Sequence, residues 1–211
     1  MPMRPLEGTR GWFLLRHGES AANVQGLIAS SPANAGRAFG LTPAGREQVR
    51  RSVVDAHAAG VLPAASHVVS SPLLRARESA AIAAEVLGSV VRVDERLIER
   101  GFGDLELMSD EHYASVWRAD RADPTHVECG VESVIAILGR ASGLLRDLER
   151  DAPGATVLLC THGDVASVLL CAATGQALNN HRDIGAMRNG EIRALAGARE
   201  FPRMPLTGAS H

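Results

Sequence analysis

Short apolar runs separated by helix-like stretches constrain the fold of this 211-residue chain more than any other feature. The runs lie at residues 12–15, 68–70, 90–93 and 156–160, and each has the length of a buried strand. A last strand is predicted at 192–195. Strands that alternate with helices predict an α/β fold, here a three-layer α/β/α sandwich with a mainly parallel sheet.

Helix signals occupy the intervals between these runs. Thr42 and Ser71 are predicted N-caps, because each precedes a proline that suits the first helical position. Gly60 and Gly88 are predicted to end the two helices. Further helices are predicted at 131–150 and 163–170.

The remaining stretches define the predicted domain organisation. A single domain is expected over residues 12–199, between a flexible N-terminus at 1–11 and a disordered tail at 200–211. Residues 21–40, rich in Gly, Ser, Ala and Asn, are predicted to form a loop. Residues 101–132 are acidic and are interpreted as a small helical insertion over the edge of the sheet.

Composition excludes several classes of function. All 22 basic residues are arginines, so Walker-type phosphate loops and Schiff-base chemistry, which need lysine, are excluded. The net charge is −2 and no basic stripe is present, so neither nucleic acid nor a membrane surface is an expected partner. Three cysteines without C-x-x-C spacing, no signal-like segment and no membrane-spanning apolar run favour a cytoplasmic protein.

The residues that carry chemistry fall where predicted strands end. His17, Arg75 and His162 each follow a different strand, and the carboxyl ends of parallel strands share one edge of a sheet. Arg16 and Asn23 add donors beside His17. Histidine and arginine together suit a phosphoryl group, since a neutral imidazole can attack phosphorus and guanidinium groups bind its oxygens. Glu99, after the third strand, is the best candidate for a proton donor.

Five ordered sequence blocks resemble the signature of the histidine phosphatase superfamily, the phosphoglycerate mutase-like enzymes. The blocks span roughly residues 12–195 and are Leu15–Ser20 with Asn23, Leu41–Gly45 with Gln48, Ser70–Ala76, Glu99 with Phe102–Gly103, and Thr161–Gly163. One departure is visible, because many members have Glu-Gly just after the acid loop, where this chain reads Leu105-Glu106-Leu107.

The resemblance implies a phosphoglycerate mutase-like fold and a role for each matched residue. His17 would carry the phosphoryl group, and Glu99 would protonate the leaving group and then activate water. The implied phosphate pocket consists of Arg16, Asn23, Arg75, His162 and Gly163. Neither a metal nor another cofactor is implied. The expected substrate is a small phosphorylated molecule, and a homodimer stays an open question.

Three functions were weighed: a phosphomonoesterase, a mutase and a catalytically silent phosphate-binding module. A mutase needs extra cations for a second acidic group, whereas the insertion offers only Arg118 and Arg121 against eight carboxylates. A silent module is expected to have lost a nucleophile or an arginine, and none is missing. The sequence therefore favours a phosphatase. Tyr113 and Trp117, four residues apart, are interpreted as core of the insertion rather than a substrate platform, and the other six histidines as surface or core residues without a metal.

Overall fold

The computed structural model describes residues 11–195, so the predicted tail at 200–211 and all of the predicted N-terminal segment except Gly11 lie outside the described residues. The described residues form a five-stranded sheet in the order β3-β2-β4-β1-β5. Its strands are β1 (Trp12–Arg16), β2 (His67–Ser70), β3 (Val91–Val93), β4 (Val157–Thr161) and β5 (Ile192–Ala194). The pairs β1–β4, β2–β4 and β2–β3 are parallel, and β5 is antiparallel to β1. The sheet is therefore mainly parallel, as predicted.

Seven α-helices accompany the sheet within residues 11–195. They are α1 (Ala21–Gln25), α2 (Pro32–Ala35), α3 (Pro43–Ala58), α4 (Leu74–Leu87), α5 (Tyr113–Ala122), α6 (Val134–Asp151) and α7 (Gly163–Ala173). In this part of the chain, no helix has both the length and the apolar character needed to cross a bilayer.

The central strands are buried on both faces, and alternate side chains enter different cores. Phe13 and Leu15 of β1 join a cluster with residues of α3 and α4. Trp12 and Leu14 join a second cluster, formed with α6 and α7. Alternation follows from the two-residue repeat of a strand, and a sheet covered on both faces requires the continuous apolar runs seen in the sequence. The predicted three-layer α/β/α sandwich is confirmed.

The prediction of a loop at residues 21–40 was wrong, because two one-turn helices lie there. Ser20 caps α1 in a capping box, in which its hydroxyl accepts from the Asn23 amide and the Asn23 side chain accepts from the Ser20 amide. Ser31 caps α2, whose first residue is Pro32. Both caps are local signals that the Gly- and Ala-rich composition of the stretch obscured.

The predicted cap at Ser71 was also wrong. α4 begins three residues later, and its N-cap is Leu73, which makes no side-chain capping bond. The Ser71 hydroxyl instead lies 2.7 Å from Nε2 of His162, which follows the neighbouring strand β4. Ser71 therefore contacts His162 and does not cap α4.

The region interpreted as an insertion is helical, as expected. Ser109 caps a 3₁₀ turn (Asp110–His112) that runs directly into α5. A separate apolar cluster fixes this region against the rest of the fold, and its buried members are Ile28, Phe102, Leu105, Val116 and Val131. Assignment of residues 101–132 as an inserted unit stays a prediction.

Two glycines bring the loop after β1 into direct contact with α3. A Cβ atom on Gly18 would overlap the carbonyl of Gly45, and a Cβ on Gly45 would overlap the backbone of Glu19. Only glycine allows this approach of two backbones. The contact holds the segment that carries His17 against the start of α3.

Candidate active site

Three connections deliver polar side chains to the carboxyl edge of the sheet. His17 follows β1, Arg75 lies in the first turn of α4 after β2, and His162 is the N-cap of α7 after β4. The ring centroids of His17 and His162 are 5.1 Å apart, and Arg75 Nε donates to His17 Nε2 at 3.0 Å. Residues from three separate stretches of the sequence are thus brought together, at the edge where they were expected.

Hydrogen bonds fix the protonation pattern of His17. Its Nδ1 lies 2.7 Å from the Gly18 carbonyl oxygen, which can only accept, so Nδ1 carries the ring hydrogen. Nε2 therefore keeps its lone pair, which accepts from Arg75. Burial and then the charges of Arg75 and Arg16 hold the pKa of His17 well below its usual range. The imidazole is therefore neutral, and Nε2 holds the lone pair that is not part of the ring π system.

Buried donors around His17 lack partners. Arg16 Nη1 donates to the Met187 carbonyl, but Arg16 Nε is buried without a hydrogen-bond partner among residues 11–195. Arg75 Nη1 and His162 Nδ1 are in the same state. Buried polar groups are nearly always satisfied, so a cluster of unsatisfied donors marks a place for an acceptor. Two guanidinium groups select an anion.

A cavity of about 210 Å³ opens beside these donors. Every predicted site residue except His162 lines it, namely Arg16, His17, Asn23, Arg75, Glu99 and Gly163. His162 is fully buried and is not among the lining residues, but its ring lies against that of His17, with centroids 5.1 Å apart. The structure therefore groups all of the predicted residues around the cavity.

Asn23 and Gly163 both line this cavity. Asn23 Oδ1 is occupied by the Ser20 amide and by Asn189 Nδ2, at 3.1 and 3.3 Å. Gly163 starts α7, where free backbone N–H groups favour an anion. A Cβ at Gly163 would lie 3.7 Å from Arg16 Cζ, so the arginine packs directly over the start of the helix.

Glu99 is a nearly buried carboxyl group on the cavity wall, with 9% of the residue exposed. Its Oε1 accepts from the Arg100 amide at 2.9 Å. Burial, and then the negative charge of Asp164, raises the pKa of Glu99, although the Arg100 amide, Arg75 and Arg16 oppose this. A carboxyl group in such surroundings can hold a proton and deliver it.

Behind Glu99 lies a fully buried ion pair that the sequence did not reveal. Arg100 Nη1 and Nη2 bind the two oxygens of Asp120 at 2.7 and 2.8 Å, and both side chains are inaccessible to solvent. His126 Nε2 and His181 Nε2 also contact Asp120, at 2.8 and 3.1 Å. The side chains of these two histidines are largely buried, and they belong to a polar network with Asp120.

The cavity wall also contains residues that sequence reasoning missed. Arg182, Asp164 and Asp110 line the cavity, together with Tyr113 and Trp117. Asp164 follows the Thr161–Gly163 block directly, so its position in the first turn of α7 could have been found. Arg182 lies in an irregular connection after α7, where no periodicity or motif marks it.

Tyr113 packs against the apolar cluster of this region, and both Tyr113 and Trp117 line the cavity. Their rings are stacked, with centroids 5.3 Å apart, and Tyr113 meets Phe102 edge to face. The Arg182 guanidinium carbon lies 3.8 Å from the centroid of the Trp117 ring. The Trp117 ring is thus in contact with both the Tyr113 ring and the Arg182 guanidinium group.

The segment before β5 completes the surroundings of His17. Asn189 Nδ2 donates to the His17 carbonyl at 3.1 Å, and the Gly190 amide donates to the Arg16 carbonyl at 3.0 Å. The Arg16 side chain in turn binds the Met187 carbonyl. The segment around His17 is therefore held by residues about 170 positions later in the chain.

Among residues 11–195, no group of three or more His, Cys, Asp or Glu side chains is arranged to hold a metal ion. Cys160 and Cys171 are buried and Cys129 is exposed, all with free thiols. Burial raises the pKa of the Cys160 and Cys171 thiols, so neither is a reactive thiolate.

Comparison with known proteins identifies the family of this chain. The family model of the histidine phosphatase superfamily (branch 1) matches residues 12–207. A glucosyl-3-phosphoglycerate phosphatase of Mycobacterium tuberculosis is 28% identical over 204 residues, covering 89% of this chain and 86% of the relative. A probable phosphoglycerate mutase of an Enterobacter species is 28% identical over 174 residues, covering 77% and 74%.

Solved structures show the same similarity. The structure of the mycobacterial glucosyl-3-phosphoglycerate phosphatase in complex with VO3 superposes with a TM-score of 0.73 at 27% identity, covering 87% of this chain and 90% of that one. The predicted fold is thereby confirmed, and so is the predicted family. The chain belongs to the histidine phosphatase superfamily (branch 1).

Proposed function

We propose that this protein is a phosphomonoester hydrolase that works through a phosphohistidine on His17. One observation supports this most strongly: the unprotonated Nε2 of His17 lies among buried arginine donors, Arg16 Nε and Arg75 Nη1, that lack partners within residues 11–195. A nucleophile surrounded by unsatisfied cationic donors suits attack on an anionic phosphoryl group.

In the first step, His17 Nε2 attacks phosphorus and the bond to the ester oxygen breaks. Arg75 Nε, which donates to His17 Nε2, transfers its hydrogen bond to a phosphoryl oxygen. Glu99 gives its proton to the leaving oxygen, so the alcohol departs neutral. The Gly18 carbonyl keeps its hydrogen bond from Nδ1 and stabilises the phosphorylated ring.

In the second step, a water molecule attacks phosphorus. The Glu99 carboxylate takes a proton from the water, the bond between phosphorus and Nε2 breaks, and inorganic phosphate leaves. Glu99 is protonated again and His17 is neutral again, so the cycle is closed. Arg16 and Arg75 hold the phosphoryl oxygens in both steps.

The charge of the cavity wall favours hydrolysis over a mutase reaction. Three arginines line the cavity, and three acidic residues, Glu99, Asp110 and Asp164, line it with them. The one arginine outside the phosphate pocket, Arg182, already binds Asp164 at 3.1 Å. A substrate with a second strongly acidic group would find little uncompensated positive charge. The mutase stays the alternative because curated relatives of both names match this chain.

A substrate panel tests this proposal. We expect release of inorganic phosphate from p-nitrophenyl phosphate and from at least one small phosphorylated metabolite, with glucosyl-3-phosphoglycerate included because of the relatives' names. EDTA should leave the rates unchanged, since the proposed steps use only side chains. Interconversion of 3- and 2-phosphoglycerate without phosphate release would favour the mutase, and no turnover of any ester would favour a silent module. Loss of activity in EDTA would contradict the metal-free mechanism.

Glu99→Gln tests the proton donor. The amide cannot protonate a leaving group, so we expect kcat for an alkyl phosphate to fall by about 10²- to 10⁴-fold. The leaving group of p-nitrophenyl phosphate needs little protonation, so the rate of its burst phase should fall much less. Glu95→Gln, an exposed change four residues away, is the matched control. Equal losses with both esters would remove Glu99 from the acid role.

A further inference from the structure

Ser71 makes a contact that the proposed chemistry has not used. Its Oγ lies 2.7 Å from His162 Nε2, and both residues are fully buried. The Leu73 amide donates to the same oxygen at 3.3 Å. The hydroxyl therefore has one neighbour that can only donate and one, the imidazole nitrogen, that can either donate or accept.

The hydrogen-bond inventory of this hydroxyl indicates which way the second bond runs. Within residues 11–195, Ser71 Oγ has no partner besides the Leu73 amide and His162 Nε2. If Nε2 carried the ring hydrogen, the hydroxyl hydrogen would be buried without an acceptor. If the hydroxyl donates to Nε2, the hydroxyl is satisfied on both sides, which is the state expected of a buried polar group.

This direction determines the other nitrogen of the ring. Burial, and then the charges of Arg75 and its neighbours, holds the pKa of His162 well below its usual range, so the ring is neutral and has one hydrogen. With Nε2 accepting, that hydrogen is on Nδ1, which is buried and has no partner among residues 11–195. An Nδ1–H group of this kind is a donor for an anion, whereas a bare lone pair there would repel one.

We propose that Ser71 is a positioning residue: its hydroxyl donates to His162 Nε2, places the ring hydrogen on Nδ1, and so makes His162 a hydrogen-bond donor to the transferring phosphoryl group. The identity of the anion rests on the proposed function. The two histidines reach the same tautomer by different means. The Gly18 carbonyl accepts a hydrogen bond from Nδ1 of His17, whereas the Ser71 hydroxyl donates one to Nε2 of His162.

The tautomer is directly measurable in the full-length protein. Long-range ¹H–¹⁵N correlation spectra of protein labelled in histidine distinguish a protonated from an unprotonated ring nitrogen, and the His162 signals are those missing from a His162→Gln spectrum. We expect Nδ1 to be protonated and Nε2 to be unprotonated in the wild-type protein. A hydrogen on Nε2 of His162 would overturn the proposal, whatever the behaviour of any variant.

Three variants separate this role from simple packing. Ser71→Ala should shift His162 toward the Nε2–H tautomer. It should also weaken orthovanadate binding by about 10- to 100-fold and lower kcat by a similar factor. Ser71→Thr, which keeps the hydroxyl, should retain the wild-type tautomer and most of the affinity. Ser70→Ala is the matched control, because it removes a neighbouring buried hydroxyl that donates only to the Ser71 carbonyl.

These measurements distinguish failure of this inference from failure of the proposed function. If the wild-type protein hydrolyses no phosphate ester, the proposed function fails, but the tautomer and vanadate binding can still be measured. If the wild-type protein is an active phosphatase and Ser71→Ala leaves both the His162 tautomer and vanadate binding unchanged, the role of Ser71 is contradicted alone.

Discussion

His17→Ala is expected to abolish phosphate release, with kcat/KM lowered by at least about 10³-fold for every substrate that the wild-type protein hydrolyses. The reason is geometric. The other imidazole in the site, His162, is buried behind His17 with Nε2 bound to Ser71, so it has no exposed lone pair to replace the lost nucleophile. Steady-state assays on p-nitrophenyl phosphate and on the best metabolite measure the loss.

A matched control and a trapping experiment make this result specific. His67→Ala removes an exposed imidazole at the start of β2 and should leave kcat/KM unchanged. Wild-type protein quenched during turnover should carry a phosphoryl group on His17, located by mass spectrometry under alkaline conditions that preserve phosphohistidine. Residual activity of His17→Ala above a tenth of the wild-type value, or a phosphoryl group on another residue, would refute the assignment of the nucleophile.

Asp120→Ala is expected to cause the largest loss of stability, about 3–5 kcal/mol in the free energy of unfolding. The substitution leaves the Arg100 guanidinium buried without its bidentate partner, and it removes the acceptor shared by His126 and His181. Urea unfolding followed by circular dichroism measures the change. Asp183→Ala, which removes an exposed partner of Arg121, is the control and should change stability far less.

The same carboxylate makes stability depend on pH in a defined direction. Burial alone would raise the pKa of Asp120, but hydrogen bonds from His181 and Arg100 outweigh it and hold the pKa below its usual range. A lower pKa in the folded state means that this contribution is present above the unfolded pKa, near 4, and is lost as the pH falls below it. Wild-type stability should therefore decrease in acid more steeply than that of Asp120→Asn. Parallel curves would contradict the depressed pKa.

Much of the fold and the centre of the site could be predicted because both follow from strand ends. Buried parallel strands require continuous apolar runs, and these runs are unmistakable at β1 and β4. Once the strands are located, parallel pairing alone places His17, Arg75 and His162 at one edge. The family resemblance then implied roles for Glu99 and Asn23, which periodicity could not provide.

The rest of the site depends on contacts that leave no local signal. Arg182 reaches the cavity from an irregular connection. Arg100 and Asp120 are twenty residues apart, and no motif or periodicity links them. Ser71 precedes a proline, which predicts a helix cap, although its hydroxyl contacts His162 Nε2 instead. In each case a long-range polar contact overrides the local preference of the sequence.

The hydrogen bonds between the segment before β5 and the backbone of Arg16 and His17 have a consequence for biosynthesis. The ribosome makes β1 and His17 first. Their hydrogen-bonding partners, Met187 and Asn189, are made about 170 codons later. A nascent chain that still lacks these residues has an imidazole whose neighbouring backbone is unanchored. Competence to take up a phosphoryl group should therefore arise only once this late segment has emerged from the exit tunnel and paired with β1.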